Sequence, residues 1–191
     1  MKYLGLFSWM TKQKLTEEQV ASLFVSTTFE SVEHGWPEVA SFLNEHPLFI
    51  QCPGLDTEDY GRFLMIVVSA NLQMIPKHFD SGTDRQIIQH ICSKFAKSLH
   101  ITPEVFTRKV KTYRSFMKQI NQPSKNVVLA MTRAIFYKYR LNEFQEEYFS
   151  NMNTPEPNIQ RDLKVLMSNF LWDWEAFNES YRVTTSSVAK L

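Results

Sequence analysis

The sequence predicts an all-α protein, an irregular bundle of about seven helices with a central helix near residues 125–150. Three observations lead there. Apolar residues recur at helical spacing: Ile159, Leu163, Leu166, Met167, Phe170, Trp174, Phe177 and Tyr181 fall on one face at about 100° per residue. Nearly all eight prolines lie between such segments, and proline suits a first helical turn but breaks an interior. No segment alternates convincingly as a strand, and no repeat of solenoid period is visible.

Taken in order, residues 1–14 read as an apolar arm. Leu4, Leu6, Phe7, Trp9 and Met10 stand beside lysines, which suits packing into a groove and leaves weak contact with a membrane surface open. A first helix starts at LTEEQ, where Thr16 caps, Gln19 reaches back and Glu17 and Glu18 favour the positive end of the dipole; it runs to about His34. Pro37 opens a second helix to about His46, and CPGLD is a loop. The third spans Thr57 to about Ile75, the fourth Asp84–Leu99, the fifth Pro103–Ile120, the sixth Lys125–Ser150 and the seventh Pro157 to about Arg182. The sixth points Val127, Met131, Ile135, Tyr139, Phe144 and Tyr148 in almost every direction, as a helix surrounded by others must. Residues 15–182 are therefore expected to form a single helical domain, with a flexible tail over 183–191.

Composition bounds the class. An apolar fraction of 43% with 21% charged residues is that of a folded globular chain. Cys52 and Cys92 lack zinc-site spacing and read as thiols of a reduced, cytoplasmic protein. The most apolar run, FLMIVVSANLQMI, is 13 residues, short of the roughly 20 that cross a bilayer as a helix. The apolar start also lacks the long core and small residues of a secretory signal.

Sharp catalytic motifs are missing. The residues three before each histidine are Ser31, Leu43, Ile75, Ile87 and Lys97, so no Glu-x-x-His pair can build a di-metal site. There is no HExxH, GxSxG, phosphate loop or dinucleotide fingerprint. Glu30, Glu33 and His34, and the pair His78 and Asp80, are thin metal or proton-relay candidates weighed against exposed polar turns. Arg133, Arg140, Glu143 and Glu147 suggest ion pairing along a helix. No catalytic residue, cofactor or metal ligand is assigned.

Charge is distributed unevenly. Residues 94–140 hold 11 basic and 1 acidic side chain, net +10, whereas residues 1–93 carry net −5 and residues 141–191 net −4. On the helix after Pro103, Val105, Phe106, Val110, Tyr113, Phe116, Met117 and Ile120 cover one side while Arg108, Lys111, Arg114 and Lys118 gather on the other. Lys94 and Lys97 lie on the outer face of the preceding helix. Such density attracts phosphates or another acidic partner, unless the acidic ends of the chain fold back and neutralise it.

The stretch FAKSLHITPEVFTRKV also resembles the helix-turn-helix of bacterial DNA-binding proteins over about 20 residues. Ala96 takes the small-residue position, Ile101 the buried turn position and Thr102 the cap, with Phe106 and Val110 facing inward; His100 replaces the usual turn glycine and Lys109 a usually apolar residue. The resemblance implies that Thr102, Glu104, Thr107, Arg108 and Lys111 lie nearest DNA.

The functional expectation is a non-enzymatic binding or interaction protein. Its candidate surface is Lys94, Lys97, Arg108, Lys111, Arg114, Lys118 and Trp172, the last on the far side of its helix from Phe170 and Trp174. The partner is expected to be a protein, either acidic or a second copy. A nucleic-acid binder using residues 92–118 and an enzyme without a recognisable motif remain the alternatives.

Overall fold

The computed structural model describes residues 12–184. The expectations for residues 1–11 of the arm and 185–191 of the tail lie outside the described residues. The described chain contains eight α-helices and one small parallel sheet: β1 Gln13–Thr16, α1 Glu17–Asn44, α2 Gly61–Leu72, α3 Thr83–Ser98, α4 Pro103–Ile120, α5 Val127–Lys138, α6 Glu147–Asn151, α7 Pro157–Ser168, α8 Trp174–Ser180 and β2 Tyr181–Thr184. The all-α class and the helix count agree with the sequence. The described residues fall into two compact units.

The first unit comprises residues up to Ser26, Met74–Phe106 and Trp172 onward. The sheet was not anticipated: Gln13 pairs with Tyr181 and Thr16 with Thr184, in parallel. Val183 and Thr184 therefore belong to a strand. The capping box forms as read, with Thr16 N donating to Gln19 Oε1 at 2.8 Å and Gln19 N to Thr16 Oγ1 at 3.3 Å. Aromatic rings make the core. Phe24 stacks on Trp174 at 5.7 Å and meets Phe95 edge-on at 6.4 Å, Phe95 stacks on Phe106 at 5.4 Å, and Phe79 meets Trp174 edge-on at 5.3 Å.

The turn from α3 to α4 lies wholly in this unit. His100 N donates to the Lys97 carbonyl and Ile101 N to the Ala96 carbonyl, the paired bonds of a Schellman motif. The motif needs one left-handed residue, and His100 supplies it at φ 53°. A side chain there costs about 1 kcal/mol. His100→Gly is accordingly expected to raise unfolding stability by about 1 kcal/mol in a urea titration; unchanged or lowered stability would show that the ring makes compensating contacts.

The second unit comprises Thr27–Gln73 and Thr107–Leu171. Helix α5 lies between α2 and α7, which accounts for its all-round apolar character. Every residue of α2 from Phe63 to Leu72 is buried, so the longest apolar run is a core helix. Trp36 stacks on Tyr139 at 4.7 Å and leans on Phe63 at 5.2 Å, while its Nε1 donates to the Asp56 carbonyl at 2.9 Å. Gly35 lets the Phe170 ring approach; a Cβ there would fall 2.5 Å from that ring.

Helix boundaries inside this unit correct the sequence reading at three places. The first two expected helices are one, because Pro37 lies inside α1. A proline removes one donor, yet α1 continues past it to Asn44. The expected sixth helix, Lys125–Ser150, is broken at Arg140, which takes φ 56°. There Gln145, 1% exposed, donates to Asn142 Oδ1 and the Thr154 carbonyl and accepts from Glu156 N, tying the loop together. Of the expected ion pairs along it, Arg140 meets Glu143, but Arg133 turns to the Ile120 carbonyl and Gln160. The expected seventh helix ends at Ser168 because the Phe170 carbonyl accepts from Asn71 Nδ2 at 2.8 Å. Asp173, in the first unit, then caps α8 through Ala176 N.

Candidate docking surface

Helix α4 matches its expected bounds, Pro103–Ile120. Proline at the first position and a Thr102 hydroxyl accepting from Val105 N start it. The Glu104 carboxyl is held below the usual carboxylate range by its own backbone N–H and the Thr102 hydroxyl. Phe106, Val110 and Met117 are buried, and Tyr113 and Phe116 half-buried. Burying that side leaves the other in water.

On the watery side Arg108, Lys111, Arg114 and Lys118 are all exposed. None of the four forms an ion pair with a described residue. The charged atoms are thus free to meet a ligand. Between them Thr112, Ser115 and Gln119 complete the face, and with Arg108, Lys111 and Phe116 they line an open groove of about 470 Å³. A groove this open suits a surface contact better than an enclosed small molecule.

Two cations that the sequence reading missed stand beside this face. Lys138 Nζ sits 4.4 Å from the Phe116 ring centre and 4.8 Å from that of Tyr113. Arg62 donates to the Lys138 carbonyl at 3.2 Å and lies 5.5 Å from the Tyr139 ring. Burial pushes the Tyr113 hydroxyl up, and the Arg62 charge opposes that. Lys138 had been counted in the basic stretch, but only packing reveals which helix it leans on. Arg62 lies in a segment of net negative charge and gave no signal.

The remaining candidates lie in the first unit. Lys94 Nζ is 3.1 Å from Glu18 Oε1, which holds that carboxyl below its usual range. Lys97 is exposed. Trp172 is no longer helical; its ring is half-buried and packs 5.3 Å from Phe24, 5.5 Å from Trp174 and 6.2 Å from Phe177. The continuous last helix on which Trp172 was placed is therefore corrected.

The same unit holds a second open cleft, of about 410 Å³, lined by Lys12, His78, Phe79, Asp80, Thr83, Asn178, Tyr181, Arg182 and Val183. It collects the His78 and Asp80 pair of the sequence reading. The Glu30, Glu33 and His34 group is engaged otherwise: Tyr60 donates to Glu33, and His34 Nδ1 lies 2.8 Å from the Glu30 carbonyl. Among the described residues no three His, Cys, Asp or Glu side chains cluster to hold a metal ion.

Comparison with protein-family models, with curated proteins and with solved structures finds no match. Among the described residues no helix is long and apolar enough to cross a membrane.

Proposed function

We propose that this is a binding protein without chemistry of its own, docking an acidic macromolecular partner on the outer face of α4. The observation that carries the reading is the exposure of Arg108, Lys111, Arg114 and Lys118 on one helix face with no described carboxylate paired to any of them. Unpaired cations on one side of a rigid element concentrate a field that steers and holds polyanions. Lys138 and Arg62 strengthen that field from the flank. Trp172 is left out, since its ring is taken up by its own unit. The sequence holds only two cysteines, Cys52 and Cys92, without zinc-site spacing, which suits a reducing, cytoplasmic setting.

The test is titration of labelled poly-glutamate and of labelled duplex DNA at about 50 mM salt, where surface charges are weakly screened. The expected result is binding of at least one polyanion by the native chain, weakened at least tenfold in Lys111→Glu/Arg114→Glu. Equal binding by the double variant, or no binding of either probe in dilute buffer, contradicts the reading.

A further inference from the structure

We infer that the acidic partner of α4 is duplex nucleic acid, gripped through its phosphates and not through its base sequence. The inference rests on the docking reading above and names the partner it leaves open.

The chemistry of the face separates nucleic acid from an acidic protein. Protein interfaces bury an apolar or aromatic centre and are poor in lysine. The outer face of α4 has no such centre: Thr112, Ser115 and Gln119 fill the positions between Arg108, Lys111, Arg114 and Lys118. The single ring that lines the groove, Phe116, is half-buried and has the Lys138 ammonium 4.4 Å from its centre. A partner's aromatic anchor would find only the Phe116 ring in the groove and the exposed edge of Val105 a turn before Arg108. Cations alternating with hydroxyls and an amide are the donors that phosphate and sugar oxygens accept.

The dimensions agree. From Arg108 to Lys118 the stripe is about 15 Å long at the rise of an α-helix. Duplex DNA carries a charge about every 1.7 Å of its axis, so several phosphates lie within reach of the stripe at once. The stretch 107–120 contains no Asp or Glu to repel them. Each cation offers one contact, and four contacts limit the grip.

That limit gives the test its numbers. With four phosphates neutralised, the logarithm of the binding constant should fall against the logarithm of salt with a slope of about −3.6, a loss of roughly 100-fold between 50 and 200 mM. Each of Lys111→Gln and Lys118→Gln should flatten the slope by about 0.9, leaving a roughly 40-fold loss over the same range. Both residues are exposed on a helix, and glutamine is about as helix-favouring as lysine, so the variants should fold; circular dichroism checks this. Two duplexes of unrelated sequence should bind within a few-fold of each other.

The outcomes separate the claims. Duplex binding with slopes that flatten as stated supports nucleic acid. Binding of poly-glutamate but not duplex overturns this inference and leaves the docking reading intact. Duplex binding whose slope ignores both substitutions places the contact away from α4 and overturns the inference. Binding of neither probe overturns both.

Discussion

Trp36→Ala is expected to cost about 3–5 kcal/mol, the range for emptying a fully buried aromatic site. The ring is 0% exposed, stacked on Tyr139 and against Phe63, and its nitrogen satisfies the Asp56 carbonyl. Urea denaturation checks the figure, and Trp36→Phe divides it. Phenylalanine keeps much of the packing but leaves the Asp56 carbonyl without its donor, so it should cost markedly less, about 1–2 kcal/mol. A loss near zero for the alanine variant would mean that Trp36 does not hold α1 against the α2–α5 core.

The second large effect is expected at Gln145. Its side chain satisfies three groups from the loop that follows α5: the Asn142 amide oxygen, the Thr154 carbonyl and the Glu156 amide. Gln145→Leu fills the same volume but orphans all three in a part-buried place, and up to about 3 kcal/mol is expected to be lost. The same unfolding measurement reads it. Gln145→Glu should also destabilise, because a carboxylate cannot donate to Asn142 and Thr154 while still accepting from Glu156. If leucine were tolerated without loss, the break of the expected sixth helix could not be ascribed to this knot.

These two residues mark where the sequence was legible and where it was not. Helix α4 was readable to its bounds, since Pro103 starts it and a 3.6-residue period splits its greasy and charged sides. The capping box at Thr16 and Gln19 was readable for the same reason: both partners lie within four residues. Features set by distant partners were not. Nothing near Arg140 announces a break, because the bonds that favour it run from Gln145 to Thr154 and Glu156. The end of α7 is similar: Asn71, about a hundred residues away in sequence, takes the Phe170 carbonyl. The β1–β2 pairing joins the two ends of the described chain and has no local signature longer than four residues.

The candidate surface divides along the same line. Periodicity placed Arg108, Lys111, Arg114 and Lys118 on one side of a helix, and all four are exposed on α4. It could not show that the acidic residues elsewhere leave them unpaired, nor that Lys138 leans over Phe116. It placed Trp172 on a last helix assumed to continue past Ser168, where the chain instead leaves the helix until Trp174. His100 shows how a departure from a pattern can be absorbed. The turn needs a left-handed residue, glycine is the easy choice, and the chain uses histidine at a modest cost.

The most direct measurement is an NMR titration of the assigned backbone amides with a 16-base-pair duplex at low salt. The account predicts that the shifts concentrate between Thr107 and Lys118, with a smaller response at Arg62 and Lys138, and that added salt reverses them. Shifts gathered instead around His78, Thr83 and Arg182, or the absence of shifts along α4, would contradict it.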